Sequence, residues 1–156
     1  MGKAGYSANT EAAVALSAAT LEYVLGVNSP AQFGCDLKGY TISYDGVTAS
    51  AVPVLVEICY CTFATNAPGT ASTSVTVDQR YGRAITAGFT AARDWTTAPT
   101  VVTAFKEFLL DPNKGLVDFD FPLGESPDSA VSNGFVIRCN APATVNVRAS
   151  LRFERT

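Results

Sequence analysis

Apolar and polar residues alternate along much of this 156-residue chain. The clearest example is TVNVRASLRFE, in which the apolar residues from Val145 to Phe153 fall on one face and the polar residues from Asn146 to Glu154 fall on the other. This period of two predicts a β-strand with one buried and one solvated face. Similar short runs recur, separated by Gly, Pro, Asn and Asp, and they predict antiparallel sheets packed as a sandwich.

The run VPVLVEICYC differs because both of its faces are mostly apolar. Its second face therefore needs a cover, which a partner subunit could supply. With seven further candidates, the chain is predicted to contain eight or nine strands and no alternating helices, which disfavours a parallel α/β sheet. The further candidates are Thr20–Val27, Cys35–Tyr44, Ser74–Val77, Ala84–Phe89, Val101–Leu110, Leu116–Phe121 and Asn133–Cys139.

The first nineteen residues are rich in alanine and follow no strong period. A helix beginning at Asn9 or Thr10 and an extended arm are both compatible with the sequence. The only large apolar side chains here are Tyr6, Val14 and Leu16, too few to offset the entropy cost of ordering the segment. We therefore expect residues 1–19 to form an arm on a neighbouring subunit, with these three side chains as the subunit or capsid contacts, and residues 20–156 to form one domain.

Charge limits the classes of partner. The chain carries a net charge of -3, with 16% charged residues, whereas a sequence-independent nucleic-acid binder needs a basic face. The densest basic cluster, Arg148, Arg152 and Arg155, is interpreted as a solvated strand face. A nucleic-acid partner is not expected.

Membrane insertion and export are not expected either. No apolar run approaches the roughly 18–20 residues of a membrane-spanning helix. Asn9, Thr10 and Glu11 interrupt what would be the apolar core of a signal peptide. Synthesis in the cytoplasm without export is therefore expected.

Catalytic chemistry is restricted because the chain has no histidine. Ser-His-Asp and Cys-His catalysis and most zinc sites are thereby excluded. Asp118 and Asp120 lie two residues apart on one strand face, and a solvent-facing acidic edge is favoured over a glycosidase pair, whose carboxylates face each other across a cleft. We expect neither an enzyme nor a cofactor or metal.

The four cysteines, Cys35, Cys59, Cys61 and Cys139, fall within predicted strands. Cys59 and Cys61 are one residue apart, whereas zinc knuckles usually use Cys-x2-Cys in a turn. The favoured interpretation is four buried thiols that pack as small apolar residues. A metal site or a disulfide is the alternative.

Several of these segments resemble small accessory proteins of tailed-phage virions, which are jelly-roll-like β-sandwiches. In that family an apolar strand ends in Asp-Gly, and a small-residue loop, a Pro-Val-x-Val-Glu strand and a Pro-Gly-Thr turn follow. A further turn then precedes a closing pair of strands. The corresponding residues here are Ile42–Gly46, Thr48–Ala51, Pro53–Glu57, Pro68–Thr70, Phe121–Ser126 and the Asn140–Pro142 turn of the closing pair.

The resemblance covers Thr20–Glu154. It implies a jelly-roll-like fold and a structural role as a capsid decoration or cement protein on the virion surface. The implied partners are the major capsid protein and further copies of the chain in a homo-oligomer, of which a trimer is favoured.

A carbohydrate-binding sandwich is the competing interpretation, because lectins share this architecture. Its best candidate contact is Trp95, flanked by Arg93 and Asp94 in a predicted loop. Loss of glycan binding on Trp95→Ala would favour this alternative.

Overall fold

The computed structural model describes residues 4–45, 52–86 and 88–156, and all regular elements in these ranges are β-strands. They are β1 (Gly5–Asn9), β2 (Val14–Leu16), β3 (Thr20–Asn28), β4 (Cys35–Asp45), β5 (Val54–Thr65), β6 (Thr73–Val75), β7 (Val77–Tyr81), β8 (Thr90–Arg93), β9 (Thr100–Leu110), β10 (Val117–Asp120), β11 (Asp128–Ser129), β12 (Gly134–Ala141) and β13 (Val145–Arg155).

Two antiparallel sheets pack face to face. Sheet A has the order β10-β4-β13-β1-β7, with β11 paired to β4 and β2 paired to β13. Sheet B has the order β6-β8-β3-β12-β5-β9. The main core lies between them and is filled from the apolar face of each strand, as the alternation along β13 predicted.

Eight of these strands follow the order of a jelly roll. If β1, β3, β4, β5, β9, β10, β12 and β13 are numbered one to eight along the chain, sheet A reads 6-3-8-1 and sheet B reads 2-7-4-5. Successive pairs of strands thus wind around the core as two Greek keys. The prediction of an antiparallel, jelly-roll-like sandwich is confirmed, and the additional strands are short.

The expectation of a separate N-terminal arm is wrong for the described residues. β1 lies inside sheet A, paired to β13 on one side and to β7 on the other, and β2 pairs with β13. Tyr6, Val14 and Leu16 are almost fully buried in the main core. These side chains contribute to the chain's own core, so they are not exposed contacts for a subunit or a capsid.

The physical reason is that a strand does not need a core of its own. β1 gains backbone hydrogen bonds on both edges, and its small Ala8 is fully buried in the main core. The number of large apolar side chains in residues 1–19 reflects neither the hydrogen bonds nor the buried alanine. Residues 1–3 of the proposed arm lie outside the described residues.

Other boundaries also differ from the sequence prediction. The candidate at Ser74–Val77 is divided between β6 and β7, and the candidate at Ala84–Phe89 is not a strand where it is described. Gly88 has a φ of 68°, which interrupts an extended chain, and β8 begins only afterwards. Ala87, Gly46 and the predicted Thr48–Ala51 loop lie outside the described residues.

Candidate functional site

The outer face of sheet A carries a set of ionic contacts centred on Arg152. Its Nη2 lies 2.8 Å from Asp118 Oδ1 and 2.7 Å from Asp120 Oδ1. The same guanidinium donates from Nη1 to Thr41 Oγ1 at 2.8 Å and from Nη2 to the Phe119 carbonyl oxygen at 3.0 Å. One arginine of β13 thus joins β4 and β10 across the outer surface.

This arrangement confirms one prediction and corrects another. Asp118 and Asp120 share a solvent-facing face of β10, as expected, with their side chains 60% and 76% exposed. They bind one arginine rather than facing each other across a cleft, so the geometry is not that of a glycosidase pair. Arg152, by contrast, is not a solvated side chain, because its contacts leave it only 15% exposed.

Electrostatics fix the charge state of Asp118. Hydrogen bonds from Thr41 and Arg152, together with the arginine charge, lower the pKa of its carboxyl below the ordinary value. The carboxylate is therefore ionised at neutral pH.

A second polar group lies beside the first and joins β7 to β13 across β1, the strand between them. Tyr81 donates a short hydrogen bond from its hydroxyl to Glu154 Oε1, and Lys38 Nζ lies 3.5 Å from Glu154 Oε2. Burial and the Glu154 carboxylate raise the pKa of Tyr81 to about 12, so the phenol keeps its proton. A Cβ at Gly5 would lie 2.2 Å from Tyr81 Cζ, so only glycine allows the ring to lie against β1.

These groups line an open cleft of about 270 Å³. Its polar lining consists of Lys38, Arg80, Tyr81, Asp118, Asp120 and Arg152. This group is not apparent in the sequence, because its members come from four strands and only the register of sheet A brings them together.

The outer face of sheet B is apolar and is partly covered by the chain itself. A second cluster outside the main core contains Cys59, Cys61, Phe63, Ala92, Trp95 and Val136. Part of the cover that the apolar faces of β5 require is thus intramolecular.

Trp95 belongs to this cluster and is only 6% exposed, which corrects its assignment as a glycan contact. Its Nε1 donates to the Asn66 carbonyl oxygen at 2.8 Å, and its ring stacks on Phe63. A Cβ at Gly26 would lie 2.9 Å from Trp95 Cη2, so the glycine makes room for the indole. Although its neighbours in the sequence are polar, Trp95 is buried because its indole lies against Gly26 of β3 and Phe63 of β5.

The two residues that flank Trp95 do not form a binding pair with it. Arg93 donates from Nη1 to the carbonyl oxygen of Thr10, and so ties β8 to the segment after β1. Asp94 is exposed, with a φ of 53°, and its backbone N–H donates to the Val24 carbonyl oxygen at 3.1 Å. These contacts are those of a turn that ends a strand.

All four cysteines are buried and free, which confirms their interpretation as core residues. Burial raises the pKa of each thiol, to about 11 for Cys61 and to about 12 for Cys59 and Cys139. Cys35 is shifted in the same direction and for the same reason. The thiols are thus protonated at neutral pH.

A buried ion pair interrupts the apolar surface of sheet B. Arg138 Nε lies 2.6 Å from Glu57 Oε2, and the two side chains are 17% and 12% exposed. The residues are cross-strand partners on β12 and β5. The pair therefore links β12 and β5 on the outer side of sheet B.

A row of leucines crosses the same outer face next to this pair. Leu21 of β3, Leu55 of β5 and Leu109 of β9 occupy one cross-strand level, with Asn140 of β12 between the first two. Leu21 is 40% and Leu109 is 67% exposed. We call these three side chains the leucine row; only the outward direction of Leu55 could be predicted from the sequence.

Within the described ranges, no group of three or more His, Cys, Asp and Glu side chains is placed to hold a metal ion. The same ranges contain no helix that is long and apolar enough to span a membrane. Comparison of the chain with protein-family models, with curated proteins and with solved structures gives no match.

Proposed function

We propose that the chain is a structural component of a virion, a decoration or cement protein that attaches to the outer capsid lattice as a homo-oligomer. The observation that carries this proposal is the leucine row on the outer face of a jelly roll. Jelly rolls recur in viral capsid proteins. Large apolar side chains exposed on one face, here Leu21 and Leu109 with the half-buried Leu55 between them, mark surfaces that bind another protein.

The leucine row is suited to a permanent contact. Leu21, Leu55 and Leu109 belong to three strands of one sheet, so they present a rigid surface without ordering a loop on binding. Obligate subunit interfaces are more apolar than transient ones. The row is the surface by which this chain contacts another copy of itself or the capsid protein. In a closed cyclic oligomer, every subunit uses the same surface. The expected oligomer is a trimer.

The proposal is tested first on particles. Mass spectrometry of purified virions of the virus that encodes the chain should detect it in amounts that correspond to a lattice site. If purified virions lack the chain while infected cells contain it, the proposal is wrong.

The surface is tested by a matched pair of variants. Leu109→Asp places a charge in the leucine row, whereas Leu123→Asp changes an almost completely exposed leucine in the loop after β10. Sedimentation equilibrium and binding to undecorated shells should show loss of assembly or attachment for Leu109→Asp and no change for Leu123→Asp. Equal behaviour of the two variants would exclude the leucine row as the contact.

A further inference from the structure

The cleft on the outer face of sheet A has unused hydrogen-bonding groups. Asp118 and Asp120 each contact Arg152 through Oδ1, and no described hydrogen bond reaches their Oδ2 atoms. Arg80 lines the same cleft, is exposed and makes no hydrogen bond or ion pair within the described residues. Two carboxylate acceptors and one guanidinium donor therefore line the same small space.

These groups are held in place before any ligand arrives. Arg152, only 15% exposed, fixes both carboxylates of β10. Tyr81 is fixed by its hydrogen bond to Glu154 and by its contact with Gly5, and it leaves 49% of its surface exposed. Binding would thus require little ordering of the protein, which favours affinity.

The charge of the cleft selects against strongly charged ligands. Its three cations, Lys38, Arg80 and Arg152, are matched by Asp118 and Asp120 in the cleft and by Glu154, which binds Tyr81 and Lys38 at its margin. An anionic ligand would meet the carboxylates, and a cationic ligand would meet the guanidinium groups. A neutral ligand with several hydroxyl groups can donate to the carboxylates and accept from Arg80 at once.

The volume of the cleft and the aromatic ring of Tyr81 restrict the class of ligand further. About 270 Å³ is close to the lower end of ligand pockets, roughly 300 Å³, and suits a compact ligand. Tyr81 adds an aromatic surface, against which the apolar face of a sugar ring can pack while its hydroxyl groups face the polar wall.

We propose that this cleft binds a neutral saccharide residue, with Asp118 and Asp120 accepting from its hydroxyl groups, Arg80 donating to its oxygens and Tyr81 packing against the ring. The site lies on sheet A, whereas the leucine row lies on sheet B. It contains none of Arg93, Asp94 and Trp95. A decoration protein attached through the leucine row would leave this cleft facing away from its attachment surface, where it can contact glycans of a cell envelope.

The test uses the full chain with methyl glycosides of glucose, galactose, mannose and N-acetylglucosamine as probes in solution. Saturation-transfer NMR should detect at least one of them, and titration gives its dissociation constant. Arg80→Ala and Asp120→Ala should each weaken that binding by about tenfold or more, since each removes a hydrogen-bonding partner of the ligand.

Matched variants separate binding from folding. Arg83→Ala removes another exposed arginine, three residues from Arg80 and outside the cleft, and should leave the dissociation constant unchanged. Tyr81→Phe keeps the ring and should retain most of the binding, whereas Tyr81→Ala should lose it. The proposal is overturned if none of the four glycosides binds, or if Arg80→Ala binds as the wild type does. Leu109→Asp should keep the wild-type dissociation constant, so failure of the cleft and failure of the leucine row are distinguishable.

Discussion

Each outer face of this sandwich carries an arginine that binds carboxylates, Arg138 on sheet B and Arg152 on sheet A, and their surroundings differ. On sheet B, Arg138 and Glu57 are paired where both are mostly covered, at 17% and 12% exposure. On sheet A, Arg152 is covered, but Asp118 and Asp120 remain in solvent. Loss of the arginine should therefore lower the free energy of unfolding more on sheet B than on sheet A. A buried ion left without a partner is costly, whereas an exposed carboxylate is solvated by water.

The difference extends to the two faces as wholes. The outer face of sheet B is stabilised by burial, with Trp95 and Phe63 forming a small core outside the main one. The outer face of sheet A is polar and has free hydrogen-bonding groups. One face is thus suited to a protein contact and the other to a small polar ligand, and substitutions on the outer face of sheet B should lower stability more than substitutions on the outer face of sheet A.

The largest expected effect comes from removing the strand on which sheet A depends. Deletion of residues 1–9 removes β1 from between β13 and β7, together with the buried Tyr6 side chain. We expect loss of cooperative unfolding and of the β-sheet circular dichroism signal. A deletion variant that unfolds cooperatively with a native spectrum would contradict the placement of β1; Tyr6→Ala, with an expected cost of about 3 kcal/mol, tests it without truncation.

The next effect is on sheet B. Trp95→Ala should lower the free energy of unfolding by about 3–5 kcal/mol, because it empties the centre of the second cluster and leaves the Asn66 carbonyl without its donor. Urea denaturation measures this loss, and Trp95→Phe should recover part of it. A change of less than about 0.5 kcal/mol would place Trp95 on the free surface instead.

The buried ion pair gives the third effect. Arg138→Ala leaves Glu57 covered and unpaired, and we expect a loss of about 3 kcal/mol, the lower end for a broken buried pair, because some exposure remains. The double variant Glu57→Leu, Arg138→Met removes both charges and should recover much of this stability. If the double variant is as unstable as Arg138→Ala, the cost comes from packing and not from the unpaired charge.

The fold class could be predicted from the sequence because alternation is a local property. Each of Val145, Val147, Leu151 and Phe153 is buried, as the period of β13 required. The boundaries of β3, β4, β9 and β12 were also predicted to within one or two residues, since apolar runs and turn residues limit them. The period of two does not reveal the burial of β1, because that burial depends on strands that lie about seventy residues or more away in the chain.

The candidate sites were harder to predict for the same reason. Trp95 has polar neighbours in the chain, and its burial depends on Gly26 and Phe63, which lie on other strands. The cleft depends on the register that sets Gly39 of β4 opposite both Arg152 of β13 and Asp120 of β10. Only the solvent-facing pair Asp118 and Asp120 was visible in advance, because two residues of one strand share a face regardless of their partners.

A smaller effect is expected for the arginine of sheet A. Arg152→Ala should cost only about 1 kcal/mol, because Asp118 and Asp120 are exposed and water replaces the arginine. The loss should shrink further at high salt, which screens exposed charges. Urea denaturation at low and high salt measures both, with Arg83→Ala as the neutral control. A loss as large as that of Arg138→Ala would mean that the two faces do not differ as described.

The smallest expected effect is the loss of the Asp118 contribution to stability at acidic pH. Asp118 has a pKa below its ordinary value of 3.8, because Thr41 and Arg152 stabilise its charged form. A lowered pKa in the folded protein means that the contribution is complete above the unfolded value and is lost as the pH falls through the folded one. We therefore expect the stability difference between the wild type and Asp118→Asn to stay constant from about pH 7 to about pH 5 and to shrink as the pH falls further. Urea denaturation across this range measures the difference; if it vanished already near pH 5, the carboxyl would have a raised pKa, and Arg152 would not be its partner in solution.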